Sequence, residues 1–303
     1  MTGDMTAATG ANALLRAMPG VFVVIWSTGF VVARYGMPHA PPLTFLAWRY
    51  ALSIAAFGVW IVLARAAWPR GRSQWLHLGV TGLLMHGGYL GGVWVAVKLG
   101  LGAGLAALVV GLQPLFTALW ISATGQAHHV SRRQWLGLSL GLLGLVLVVS
   151  HKLRLGEANP VNVGCAVFAL ACITIGTLYQ KRWVKPCDVR TANTVQLMAA
   201  LLVTLPLALF EAEPVVLHPE LIGAMAWSVL ALTLGGSSLL YLLIQRGAAT
   251  SVTSLMYLVP PCTALFAWLL FGETLTATVL IGLALAASCR PASAPAPTRP
   301  WRR

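Results

Sequence analysis

The chain has 303 residues, 58% of them hydrophobic and only 9% Asp, Glu, Lys or Arg, with a mean hydropathy of +0.80. A domain folded in water is about a quarter charged, so this composition excludes an ordinary soluble protein and makes lipid the main solvent. A net charge of +13 would suggest nucleic acid in a soluble domain; in a membrane chain it is expected from basic loops on one side of the bilayer, with no nucleic-acid partner.

Apolar runs of about 17–25 residues cross a bilayer as helices. Residues 1–16 read as a short tail, and ten runs follow at 17–34, 43–64, 75–97, 101–124, 134–150, 160–180, 191–210, 221–244, 248–271 and 274–289. The first lacks a small-residue cleavage site and reads as a retained span, not a signal peptide. The connections carry Pro, Gly or charge, as in "MPHAPP" and "KRWVKPCDVR". The final stretch 290–303, "RPASAPAPTRPWRR", is Pro/Ala-rich and basic and reads as an unfolded tail.

Polar groups interrupt these runs at membrane depth. Trp26, Ser27 and Thr28 break the first span; the Trp offers a stacking face and the hydroxyls either serve a ligand or their own helix backbone. Arg49 lies in the second span, about 9 Å along the helix from its start. It reads either as a snorkelling side chain or as a partner for a substrate carboxylate. Gln113 precedes Pro114 in the fourth span. Proline frees a backbone carbonyl there, and Gln113 either joins it in binding a zwitterion or repairs the kink.

The stretch "LLMHGGYLGGVWVAVK" (83–98) places His86 inside an apolar run with four glycines. On an α-helical wheel at about 100° per residue, Tyr89 and Val93 share the His86 side, and Gly87, Gly88, Gly91 and Gly92 form another face. Small residues four apart let helices approach closely in lipid, so the glycine face reads as packing and the His86–Tyr89 face as the wall of a cavity. The alternative for His86 is an interhelical hydrogen bond without a substrate role. Trp94 reads equally as cavity wall or interfacial anchor. Farther along, Ser237, Tyr241 and Gln245 mark the eighth span, and Ser254 and Tyr257 precede the Pro260-Pro261 break. Tyr179 and Gln180 at the end of the sixth span read as interfacial.

With the N-terminus placed inside, fifteen basic residues fall in cytoplasmic segments against four outside, namely Arg34, Lys98, Lys152 and Arg154. Glu157, Glu211, Glu213, Glu220 and Glu273 also fall outside. This asymmetry predicts cytoplasmic amino and carboxyl ends. The chain repeats as well: "LQPLFTAL" (112–119) matches "LVPPCTAL" (258–265), and Gly87-Gly88 matches Gly235-Gly236 at an offset of 148. Five spans per copy is an odd number, so the second copy is expected to enter the membrane upside down, as in transporters with a midplane site.

"IWSTGFVVARYGMPHAPPLTFLAWRYALS" (25–53), the "GLQP" of span four and "YLVPPCTALFAWLLFGETLT" (257–276) resemble the two EamA units of the drug/metabolite transporter superfamily. One departure is "GQAHH" (125–129), where the first unit could carry Gly-Glu. The resemblance implies an all-α membrane protein with ten transmembrane helices, arranged as two inverted five-helix repeats (17–150 and 160–289, joined by 151–159) around a central cavity with alternating access. Among such proteins the chain looks most like the bacterial inner-membrane amino-acid exporters.

All seven acids lie in tails, loops or helix ends, leaving His86 as the one candidate proton carrier at depth. Facilitated export of small amphipathic metabolites, above all aromatic or methionine-like amino acids, is therefore expected. Export of lipophilic cations held by aromatic faces is the alternative. The five cysteines form no C-x-x-C, and no H-E-x-x-H or G-x-S-x-G appears, so no metal, cofactor or enzymatic activity is expected. The oligomeric state stays open.

Overall fold

A computed structural model describes residues 3–123, 135–136, 139, 142–143, 146, 158–245 and 258–273. Among these there are no strands. Seven helices are long and apolar enough to cross a membrane, and an eighth apolar helix is shorter. We number them α1 (Gly3–Gly36), α2 (Pro42–Ala64), α3 (Arg72–Lys98), α4 (residues 103–123, in two segments), α5 (Pro160–Trp183), α6 (Val189–Ala208), α7 (Pro219–Gln245) and α8 (Val259–Phe271). They fall in eight of the ten expected spans, although α1 begins well before residue 17 and residues 248–257 of the span at 248–271 lie outside the described residues. The expected spans at 134–150, for the most part, and at 274–289, together with the tail at 290–303, lie outside the described residues.

Local chemistry sets the boundaries. Pro42, Pro160 and Pro219 stand in the first turns of α2, α5 and α7, where the missing N–H costs nothing. Asn159 and Asn162 form a reciprocal cap on α5. The Asp188 side chain accepts from the Arg190 N–H at the start of α6. The Arg190 guanidinium, hydrogen-bonded to the same carboxylate, holds the Asp188 carboxyl below the usual carboxylate range. Gly272, at φ 64°, closes α8 in the left-handed conformation that glycine adopts without strain.

The charged loop residues gather at two ends. At one, Arg34 pairs with Glu273, Lys98 pairs with Glu213, and the Val216 N–H donates to the His39 carbonyl at 2.8 Å. Glu211 accepts from the Leu43 and Thr44 N–H groups at 2.9 and 2.7 Å, holding the start of α2. At the opposite end, the Gln74 amide donates to the Lys185 carbonyl at 2.8 Å and the Thr191 hydroxyl to the Ala67 carbonyl at 3.0 Å. Helices joined by described connections run in alternating directions, whereas α4 and α5 both start at the Glu273 end. Of the acids expected on one side, Glu211, Glu213, Glu220 and Glu273 share that end, and Glu157 lies outside the described residues.

Helix α3 is wedged against α5 and α6 by its missing side chains. A Cβ on Gly82 would fall on the Gln196 backbone, one on Gly88 on Cys172, and one on Gly92 on the Cys165 carbonyl. Gly87 faces open space and Gly91 touches nothing closer than Leu43, so the expected face of four glycines narrows to Gly88 and Gly92, extended by Gly82. The interior opposite Gly82 is backbone and cannot rotate away. Gly82→Ala should therefore lower the thermal-unfolding midpoint of the solubilised protein, an overpacking cost of about 1–3 kcal/mol outweighing its gain in helix propensity. Gly164→Ala, with nothing near its Cβ, should leave the midpoint unchanged or raise it. Equal midpoints for the two variants would contradict this packing.

Candidate functional site

Two π-helical segments interrupt the bundle, Leu83–Gly88 in α3 and Ser228–Ser237 in α7. Both contain the Gly-Gly pair noted in the sequence. Such widened turns shift the hydrogen-bond ladder by one residue and often mark functional sites. The uniform α-helical wheel therefore does not apply across 83–88, because the extra residue in the turn rotates the positions that follow. Side chains secure both seams. The Tyr50 hydroxyl donates to the His86 carbonyl at 2.7 Å, and the Thr233 hydroxyl donates to the Ser228 carbonyl at 2.8 Å, five residues back. Helix α3 ends beside Glu213, whereas α7 starts beside His39 and carries Tyr241 to within 3.0 Å of Cys187 at the other end. The two interrupted helices run in opposite senses.

Between the π segments lies a cavity of about 40 Å³, room for a few waters. Trp26 and Phe30 of α1, Arg49 of α2, and His86, Tyr89 and Trp94 of α3 form one part of its wall. Gln180 of α5, Asn193 and Gln196 of α6, and Ser237 and Tyr241 of α7 complete it. The Trp26 and Tyr89 rings are parallel within 1°, their centroids 6.2 Å apart. Trp94 is 1% exposed and stacks on Phe45 at 4.3 Å, so it is a wall of the interior and not an interfacial anchor.

Arg49 is 4% exposed and does not snorkel. Its Nε donates to Thr233 Oγ1 at 3.0 Å, and among the described residues no carboxylate lies within ion-pair distance of it. Two further donors face the same space unmet: the amide nitrogens of Gln180 and Gln196 are buried without hydrogen-bond partners. The cavity is thus lined by a guanidinium with one donor on Thr233 and by two amides whose nitrogens have no partner, between aromatic walls. That arrangement suits an anionic group carried on an apolar body.

The other expected site residues are placed elsewhere. The Ser27 hydroxyl turns back to the Val23 carbonyl at 2.6 Å, and the Gln113 amide donates to the Thr177 hydroxyl of α5 at 3.1 Å. Gln245 donates to the Tyr241 hydroxyl at 2.8 Å, one step behind the wall. Ser254 and Tyr257 lie outside the described residues. Gln180, expected at the interface, is 2% exposed and part of the cavity, whereas its neighbour Tyr179 bonds His77 at 2.8 Å near the helix end. Asn193 and Gln196 were not singled out in the sequence. Their spacing of three residues is the signal that marks them, since such pairs share a helix face.

A cavity with buried polar groups, enclosed by membrane-length helices that run in both directions, is the construction of a multi-span membrane transporter. The chain belongs to the EamA-like transporter family, which matches residues 20–150 and 162–288, and so to the drug/metabolite transporter superfamily. A probable amino-acid metabolite efflux pump of Salmonella typhimurium is 27% identical over 276 residues, covering 87% of this chain and 89% of that protein. The uncharacterized inner membrane transporter YedA of Escherichia coli K12 is 27% identical over 256 residues, covering 84% of this chain and 81% of its own. A solved crystal structure described without a function shares the fold at a TM-score of 0.67 and 19% identity, covering 90% of this chain and 94% of its own.

The wall assignments are open to chemical labelling. In a background without the native cysteines, Ser237→Cys should react with a hydrophilic methanethiosulfonate. Val167→Cys, on a half-exposed outer face of α5, should stay unlabelled in the bilayer. The reverse pattern would place the water elsewhere.

Proposed function

We propose that the chain exports small amphipathic metabolites, amino acids above all, through this cavity by alternating access. The observation that carries the reading is Arg49, a buried cation that faces the cavity and has no carboxylate partner among the described residues. An uncompensated charge inside a membrane protein is costly, and a substrate carboxylate would compensate it. Trp26, Tyr89 and Tyr241 supply the surfaces for an aromatic or thioether side chain. An organic cation would meet the charge of Arg49, which disfavours the multidrug alternative.

In this reading two inverted five-helix repeats, residues 17–150 and 160–289, flank the cavity, joined by 151–159 and bounded by tails at 1–16 and 290–303. The opposed courses of α3 and α7, each with its π segment, support it. The excess of Arg and Lys at one face supports cytoplasmic termini in the inner membrane. Export as the direction draws on the name of the Salmonella relative, a probable efflux pump. No acid lies inside a span, so transport runs down the substrate gradient without obligatory proton coupling.

Counterflow in proteoliposomes with a panel of labelled amino acids tests this. Exchange is expected for aromatic or methionine-like members, with and without a pH gradient. Arg49→Gln should weaken apparent affinity roughly 10- to 100-fold, the loss of one or two charge-assisted hydrogen bonds. Exchange of no amino acid, or full activity in Arg49→Gln, would refute the proposal; strict dependence on the pH gradient would refute the uncoupled mechanism.

A further inference from the structure

Away from the cavity, at the end held together by Glu211 and Glu213, three metal-ligating side chains converge. His39 comes from the turn between α1 and α2, and His218 and Glu220 flank Pro219 at the start of α7. The His39 and His218 rings stack with centroids 4.3 Å apart and planes 12° from parallel. One carboxylate oxygen of Glu220 lies 2.9 Å from His39 Nε2 and 3.8 Å from His218 Nδ1. All three ligand atoms fall within 4.8 Å of one another.

We propose that these residues form a site for a borderline divalent transition-metal ion such as Zn²⁺. Metal–nitrogen and metal–oxygen bonds of about 2.0–2.2 Å in a tetrahedron put neighbouring ligand atoms roughly 3.4 Å apart. The two distances to Glu220 bracket that value, so small side-chain adjustments bring both contacts to the required spacing. The ligand set, two imidazoles and a carboxylate, suits Zn²⁺ and the later first-row ions and is a poor match for Mg²⁺ or Ca²⁺, which take oxygen ligands. Water completes the fourth position at this open end of the bundle.

The backbone already fixes the approach. The Val216 N–H donates to the His39 carbonyl at 2.8 Å, which ties the turn to the segment leading into α7. His218 Nδ1 caps α7, accepting from the Glu220 N–H at 3.3 Å, and its single lone pair would exchange that bond for the metal. An ion at this point would replace the His39–Glu220 hydrogen bond and join segments about 180 residues apart in the chain. Nothing in the transport reading requires it; the inference stands on this cluster.

Binding of Zn²⁺ to the full-length, detergent-solubilised protein with any affinity tag removed tests the proposal. The other histidines of the chain, which total seven with these two, serve as the internal background. Equilibrium dialysis should find one more Zn²⁺ per wild-type chain than per His39→Gln/His218→Asn chain. Asparagine at 218 preserves the capping ability that the helix start needs, so the double variant should keep the thermal midpoint of the metal-free wild type. Zn²⁺ should raise the wild-type midpoint and leave the variant unmoved, and excess Mg²⁺ or Ca²⁺ should not compete. Equal Zn²⁺ binding by the two proteins, or none by either, would overturn the site and leave His39 and Glu220 as a hydrogen-bonded pair.

Discussion

The site is organised by a single unbalanced charge. A guanidinium placed at the centre of a membrane helix costs about 2.5–3.5 kcal/mol on insertion scales, and the usual remedies are an acidic partner or an escape to the interface. Arg49 uses neither among the described residues. It spends one donor on Thr233 and faces the cavity. Thr233 is available because it lies in the π segment of α7, where its hydroxyl bonds the Ser228 carbonyl and offers its oxygen to Arg49. The π segment of α3 does the matching work on the other wall: His86 in it and Tyr89 just after it line the cavity, and the Tyr50 hydroxyl bonds the His86 carbonyl.

That polar centre is held by packing rather than by the polar groups themselves. Lipid provides no hydrophobic force between helices, so close approach comes from small residues. Gly82 and Gly92 bring α3 onto the backbones of α6 and α5, Gly88 brings it onto the Cys172 side chain, and Gly111 in the break of α4 sits against Pro260 of α8. These contacts bring the otherwise unmet amides of Gln180 and Gln196 to the same space as Arg49. At one end of the bundle, Glu211, Glu213 and Glu273 tie loops to helix ends, fixing the frame within which the middle can move.

Much of the frame was legible in the sequence because hydropathy and caps are local signals. The run boundaries, the Pro and Asn helix starts and the clustering of acids at one end all follow from residues within a turn or two of the feature. The cavity was legible in part: Trp26, His86, Tyr89, Trp94, Ser237 and Tyr241 stand out as polar or aromatic groups inside apolar runs. Arg49 was ambiguous because depth along a helix does not reveal which side is lipid. Gln180 was misplaced because its distance from the helix end suggested an interface, while the neighbouring helices cover it. Ser27 and Gln113 share the chemistry of the wall but are consumed by the Val23 carbonyl and the Thr177 hydroxyl, partners no one-dimensional pattern names. The π segments were invisible for a further reason: a regular wheel assumes the very geometry that the Gly-Gly pairs relax.

The most direct measurement of the central claim is a structure of the protein with a transported amino acid bound in lipid. The account predicts the ligand carboxylate within hydrogen-bond distance of the Arg49 guanidinium, with its side chain against the Trp26 and Tyr89 rings. A ligand seated elsewhere, or Arg49 turned out toward the lipid headgroups, would contradict it.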